Sequence, residues 1–161
     1  GIAMALACDP SLIIADEPTT ALDVTIQAQV LDLMNDLKKD FSTAMIMITH
    51  DLGVVGEVCD RVAVVYAGKI IEEGSLEQIF SNPQHPYTKG LFDCIPDIDE
   101  EHSKIGPIKG RMPDPLNLPS GCSFSPRCPH TKEICKNTFP DIKEVDGHMV
   151  RCHLYDGKGV K

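Results

Sequence analysis

The feature that most constrains the fold is a short apolar run that ends in two adjacent acids. Leu12–Ala15 is apolar throughout, and Asp16, Glu17 and Pro18 follow it directly. A continuous apolar run of this length, closed by polar residues and proline, predicts a strand buried on both faces in a parallel sheet. The chemistry of such a strand is expected at its carboxyl end, where the two acids stand.

The segments that follow alternate between helix and strand patterns. Apolar residues recur at helical spacing between Thr25 and Lys39, which predicts an amphipathic helix. Ala67-Gly68 has the pattern of a hairpin turn. The other predicted elements here are strands over Ala44–Thr49, Val62–Tyr66 and Lys69–Glu72 and a helix over Leu52–Cys59. This alternation predicts an α/β fold.

The chain changes character after Ile95. Before that point we predict one small helix over Ser75–Phe80 and another that follows Pro83–Pro86 and ends at Cys94. Residues 96–120 contain five prolines and an acidic patch, which predicts an extended connector. A cysteine-bearing subdomain follows. The predicted domains are therefore 1–95, 96–120 and 121–161.

Composition argues against several classes of protein. The chain has 15 Lys and Arg against 24 Asp and Glu, and its net charge of -9 argues against a nucleic-acid partner. Its apolar runs are far shorter than the roughly 18 residues of a membrane span. No secretory signal pattern opens the sequence, so a cytoplasmic protein is expected.

The two acids fit the magnesium and water-activating side of a phosphate-hydrolysing site. In P-loop ATPases one carboxylate after a buried strand faces magnesium and its neighbour faces the attacking nucleophile. The run Leu12–Asp23, LIIADEPTTALD, resembles the Walker B motif and D-loop of ABC ATPases. The resemblance implies that Asp16 holds the magnesium of Mg-ATP and that Glu17 is the catalytic base.

Two further residues join this set through the resemblance. His50 follows the next predicted strand, where the family carries a switch histidine that reaches the γ-phosphate. Asp23 matches a D-loop residue that contacts the opposite subunit, and it is equally suited to cap the helix from Thr25. Neither the ABC signature nor a Gly-x-x-x-x-Gly-Lys-Ser/Thr loop occurs in the sequence. We therefore expect the C-terminal half of a P-loop ABC ATPase domain, inactive as an isolated fragment.

Two later segments resemble one subfamily of ABC ATPases. Asn82–Leu91, NPQHPYTKGL, and the cysteine tail from Gly121 are similar to ATP-binding subunits of oligopeptide and dipeptide importers, sometimes nickel importers. The resemblance implies a peripheral subunit on the cytoplasmic side of the cell membrane. Its implied partners are a second ATPase subunit, transmembrane permeases and, indirectly, an extracellular peptide-binding protein. The full-length protein would hydrolyse ATP to power peptide import.

The seven cysteines are an odd number, and four lie in the tail. In a reducing compartment such a cluster favours metal over disulfides. The tail cysteines are separated by five, six and sixteen residues, without the close pairs usual in zinc sites. Zinc remains an alternative because histidines lie nearby, and four unligated thiols are a further alternative. The resembled family carries a [4Fe-4S] cluster here. The implied ligands are Cys122, Cys128, Cys135 and Cys152.

Cys8, Cys59 and Cys94 are scattered along the chain, and we expect them to be small buried hydrophobes. Two other functions are compatible with parts of the sequence. One is a noncatalytic, metal-stabilised interaction module with a vestigial acidic block. The other is a soluble ABC protein of translation or DNA repair, against which Asn82–Leu91 and the cysteine tail both argue.

Overall fold

The structure is a computed structural model that describes residue 4 and residues 7–41, 43–94 and 108–157. It divides into two compact units, residues 1–60 and residues 61–161. The Ala, Leu and Met content of residues 1–8 predicts a helix, but most of these residues lie outside the described residues. Residues 96–107 of the predicted connector also lie outside them.

Among its described residues from position 7 onward, unit 1 contains a parallel strand pair and two helices, as the sequence predicts. The strands pair in register, with Ile14 opposite Ile46 and Asp16 opposite Ile48. Parallel strands need a crossover connection, which the long helix between them supplies. The elements are β1 (Leu12–Asp16), α1 (Val24–Phe41), β2 (Ala44–Ile48) and α2 (Leu52–Val58).

The core of unit 1 lies on one face of this strand pair. Leu31 of α1 packs with Val54 and Val58 of α2, and Met47 of β2 contacts them. The Lys38 amine donates to the carbonyl of Val58 at 2.8 Å, which ties α1 to the end of α2.

The buried face of α1 carries Leu31, Met34 and Leu37. The sequence correctly predicts a helix here, but Ile26 and Leu33, which belong to the apolar series that predicts it, are exposed.

The prediction that both apolar strands are buried on both faces is wrong. Ile14 is 64% exposed and Ile46 is 50% exposed, although both belong to apolar runs. The described helices of unit 1 cover only the face that carries Ala15 and Met47. Each strand is therefore half-buried.

Unit 2 is built on an antiparallel sheet of four strands in the order β3-β4-β6-β5. The predicted hairpin is confirmed, and Ala67 and Gly68 form its turn with φ values of 47° and 74°. The elements are β3 (Arg61–Tyr66), β4 (Lys69–Ser75), α3 (Leu76–Ser81), α4 (Pro86–Phe92), α5 (Glu133–Asn137), β5 (Ile142–Val145), β6 (His148–Arg151) and a 3-10 turn (His153–Tyr155).

The tail shares its sheet with the preceding segment. β6 pairs with β4, with Glu72 opposite Val150 and Glu73 opposite Met149. The β5–β6 hairpin was not predicted from the sequence, although Asp146-Gly147 adopts the positive φ values, 50° and 81°, of a two-residue hairpin turn. The division between the compact units thus falls at residue 60, whereas the sequence pattern places a boundary at residue 95.

A buried carboxylate joins three segments of unit 2. Glu72 is completely buried, and its two oxygens accept the backbone N–H groups of Gln84 at 2.6 Å and His85 at 2.8 Å. The His148 ring lies 3.2 Å from the same carboxylate. Tyr155 donates its hydroxyl to the Gln84 carbonyl at 2.9 Å and so extends the network. Because a buried charge requires such partners, Glu72 fixes β4, β6 and the start of α4 together.

Replacing Glu72 by Ala is predicted to lower the free energy of unfolding by about 3–5 kcal/mol, since the loss of one partner leaves buried donors unpaired. Urea unfolding followed by circular dichroism measures the change. Glu73→Ala is the matched control, because Glu73 pairs with the exposed Arg61 at the surface and should cost about 0–1 kcal/mol. Equal effects of the two substitutions would contradict the assignment.

His85 caps α4 with a neutral ring. Its Nδ1 accepts the backbone N–H of Tyr87 at 3.0 Å, which requires an unprotonated nitrogen. The ring is almost fully buried, and burial lowers the pKa of His85 to about 4. The folded protein therefore excludes a proton that the unfolded chain accepts near pH 6.5.

Stability is predicted to fall between about pH 6.5 and pH 4, because below pH 6.5 the unfolded state binds a proton that folded His85 does not. The contribution of His85 is on the order of 3 kcal/mol, fully present above pH 6.5 and lost toward pH 4. His85→Asn keeps a capping acceptor and should flatten the pH dependence of the urea midpoint. His130→Asn, at an exposed position, should leave it steep.

Candidate functional site

The parallel pairing of β1 and β2 brings the predicted catalytic residues to one edge. Asp16 ends β1 opposite Ile48, and the Glu17 N–H extends the ladder by donating to the Ile48 carbonyl at 2.8 Å. His50 follows two residues after Ile48. Glu17 and His50, 33 residues apart in sequence, therefore meet at the carboxyl end of both strands.

The Glu17 carboxylate is held at both of its oxygens. His50 Nδ1 lies 3.0 Å from one oxygen, and the Thr20 hydroxyl donates to the other at 2.6 Å. The Thr20 hydroxyl, and then His50, hold the pKa of the Glu17 carboxyl below its usual value. Glu17 is thereby favoured in the ionised form that a general base requires.

Asp16 and Asp23 occupy different settings. Asp16 is exposed at the end of β1, next to Glu17, and the two carboxylates offer the hard oxygen ligands that magnesium prefers. Asp23 accepts the Ile26 N–H at 3.0 Å and caps the start of α1. The capping role that the sequence predicts for Asp23 is therefore present.

Two residues of this edge were not identified from the sequence as having roles of their own. Asp51 caps α2 by accepting the N–H groups of Gly53 at 2.8 Å and Val54 at 3.3 Å, and this orients the chain beside His50. An acid before a short helix could have indicated it. Thr20 is the other, and the pattern of the motif alone gives no sign of its bond to Glu17.

The four tail cysteines lie close enough to affect one another. Burial is the main cause that raises the pKa of the Cys152 thiol to about 11, and the other three thiols add to it. Burial likewise raises the pKa of Cys122 and of Cys128. Cys128 and Cys135 each accept a backbone N–H on sulfur at 3.4 Å.

Close backbone contact joins the first and third of these cysteines. The Cys122 N–H donates to the Cys135 carbonyl at 2.8 Å. A Cβ at Gly121 would lie only 2.3 Å from that carbonyl oxygen, so the contact requires glycine. Within the described ranges, no group of three or more His, Cys, Asp or Glu side chains is arranged to hold a metal ion.

The prediction for the three scattered cysteines is wrong in two cases. Cys8 and Cys94 are exposed, and only Cys59 is half-buried. Cys94 follows α4, and its thiol donates to the Gly90 carbonyl at 3.1 Å. Cysteine content alone does not distinguish a buried thiol from an exposed one.

Comparison with known proteins agrees with the resemblance noted in the motifs. Residues 71–135 match the family described as "Oligopeptide/dipeptide transporter, C-terminal region". The chain is 53% identical over 161 residues to the oligopeptide transport ATP-binding protein AppD of Bacillus subtilis. The alignment covers 99% of this chain and 49% of AppD. Over the residues it spans, the chain matches the C-terminal region of oligopeptide and dipeptide transport ATP-binding proteins.

Other relatives show the same extent of similarity. The chain is 56% identical over 151 residues to the oligopeptide transport ATP-binding protein OppD of Salmonella typhimurium, covering 94% of this chain and 45% of OppD. The chain thus spans about half the length of the curated family members it matches. A dimeric, post-hydrolysis structure of the ATP-binding cassette MJ0796 with ADP and phosphate is 32% identical to this chain and has a TM-score of 0.43. The match covers 47% of this chain and 32% of the MJ0796 chain.

Among the residues that the structure describes, no helix has both the length and the apolar character needed to cross a lipid bilayer.

Proposed function

We propose that this chain supplies the Walker B, D-loop and switch-histidine part of an ATP-hydrolysing subunit that powers import of oligopeptides or dipeptides. The observation that carries the proposal is the Glu17 carboxylate, placed beyond a parallel strand and bonded to His50 at 3.0 Å. A base at that edge, oriented by a neighbouring ring, is suited to activate water. The names of the similar proteins provide the substrate class.

Each residue of the edge has a distinct proposed role. Asp16 would hold Mg²⁺, which neutralises charge on the phosphates when Mg-ATP is bound. Glu17 would accept the proton of the attacking water, and His50 would interact with the γ-phosphate. Asp23, while capping α1, would couple this edge to a second ATPase subunit. The sequence contains no phosphate-binding loop, so the chain alone is expected to bind Mg-ATP weakly and not to hydrolyse it.

The assembly is part of the same proposal. The subunit would pair with an identical or homologous ATPase subunit and bind transmembrane permeases, placing it at the cytoplasmic side of the membrane as a peripheral protein. An extracellular peptide-binding protein would act with the complex indirectly. The net charge of -9 supports the absence of a nucleic-acid partner.

A [4Fe-4S] cluster on the tail is the finer part of the proposal. Cys122, Cys128, Cys135 and Cys152 would be its ligands, and zinc is the alternative metal. Support comes from the closeness of the four thiols, since Cys122, Cys128 and Cys135 all add to the raised pKa of Cys152. Backbone N–H groups that donate to two of the sulfurs give further support. Hydrogen bonds to sulfur are one of the means by which proteins tune such clusters.

In the full-length protein, Glu17→Gln is predicted to lower the rate of ATP hydrolysis by about 100-fold or more while leaving Mg-ATP binding intact, because it removes the general base and keeps the size of the side chain. Steady-state hydrolysis and equilibrium ATP binding measure the two effects. Glu57→Gln, at an exposed position on α2, is the matched control and should leave both unchanged. Unchanged hydrolysis in Glu17→Gln would remove Glu17 from this role.

Protein isolated without oxygen is predicted to be brown and to contain iron and acid-labile sulfide. Replacing Cys122 by Ser should abolish the colour and loosen the tail, since metal binding and local folding are coupled. Anaerobic metal analysis, visible absorbance and hydrogen exchange of residues 121–153 test this. Cys94→Ser is the control and should leave the metal content unchanged, because Cys94 lies outside the four.

The metal analysis also separates the alternatives. Stoichiometric zinc in colourless protein would replace the cluster with zinc. Absence of metal from a tail that stays ordered would contradict both. Neither result would affect the proposal for Glu17 and His50, because those residues belong to unit 1.

A further inference from the structure

The Glu17 carboxylate makes a hydrogen bond to a residue outside the predicted catalytic set. The Thr20 hydroxyl donates to Glu17 Oε2 at 2.6 Å, while His50 Nδ1 lies 3.0 Å from Oε1. A distance of 2.6 Å is that of a charge-assisted bond from a hydroxyl to an ionised carboxylate. The contact from Thr20 is the shorter of the two.

The backbone from Glu17 to Thr20 is folded so that the hydroxyl reaches the carboxylate. Glu17, where this turn begins, has φ = 45°, a value that residues with a Cβ rarely adopt. The Thr20 N–H donates to the Glu17 carbonyl at 3.1 Å and closes a turn. Strained backbone of this kind persists where the surroundings enforce it, and it is frequent at functional sites.

The bond fixes the direction of the carboxylate. Two donors on different oxygens restrict rotation of the carboxylate plane. Since each carboxylate oxygen can accept more than one hydrogen bond, Glu17 can still accept a hydrogen bond from a water molecule while bonded to Thr20 and His50.

We infer that Thr20 is a positioning residue for hydrolysis, whose hydroxyl fixes the orientation of the Glu17 carboxylate toward the attacking water. This inference rests on the proposed function. Glu17 takes the proton that the water loses, and Thr20 keeps its own proton throughout. The contribution of Thr20 is therefore to the rate of hydrolysis, with Mg-ATP binding unaffected.

The test uses Thr20→Val in the full-length protein, because valine keeps the branched shape and removes the hydroxyl. We expect kcat to fall about tenfold with KM for Mg-ATP changed less than about twofold, as for an interaction that matters in the transition state. Thr20→Ser restores the hydroxyl and should keep kcat within about twofold of the unmodified protein.

Controls make every outcome decisive. Thr25→Val, at an exposed position in α1, should leave kcat unchanged. Thr20→Ala gives a second variant without the hydroxyl if Thr20→Val does not fold. An unchanged rate without the hydroxyl, or a serine variant as slow as the valine variant, would overturn the inference. Glu17→Gln in the same series separates failure of this inference from failure of the proposed function. If Glu17→Gln strongly lowers hydrolysis while the Thr20 variants do not, Glu17 remains the base and only the role of Thr20 is refuted.

Discussion

The parallel register of β1 and β2 is the constraint on which the candidate site depends. It sets Asp16 opposite Ile48, so that Glu17 and His50 leave their strands at the same edge. A shift of one residue would move a side chain by about 3.3 Å and turn it to the other face of the sheet. The apolar packing of α1 and α2 against one face of the strands selects the register. The core thus determines the distance between base and histidine.

Unit 2 is held together differently, by a buried carboxylate whose hydrogen bonds are all satisfied. Glu72 lies where an apolar residue would be expected in a sheet core, and two backbone donors and a histidine satisfy it. An apolar contact would tolerate small shifts of α4 or β6, whereas a carboxylate with fixed donors accepts one arrangement. The same segment contains the His85-Pro86-Tyr87 run that resembles the importer subfamily. The motif can therefore be understood as a structural junction.

The sequence predicts elements that depend on local pattern and misses those that depend on distant partners. The periodicity of α1 and the apolar runs of β1 and β2 are local, so unit 1 and the meeting of Glu17 with His50 could be predicted. The bond from Thr20 depends on a turn that begins at the positive φ of Glu17, which the residue types do not suggest. The partners of Glu72 come from the start of α4 and from β6, and β6 is too short for its own alternation to be evident. Exposure of Ile14 depends on what covers the sheet, and strand composition does not encode it.

The distance along the chain between Glu72 and its last partner has a consequence for synthesis. The backbone donors at Gln84 and His85 follow soon after Glu72, but His148 is 76 residues further along. At about 5–20 residues per second, translation takes roughly 4–15 s to cover that distance. During that interval β4 has β3 beside it but lacks β6. An edge strand in this state is open to pairing with another chain, and the charged side chains of Glu72 and Glu73 oppose such pairing until the native strand arrives.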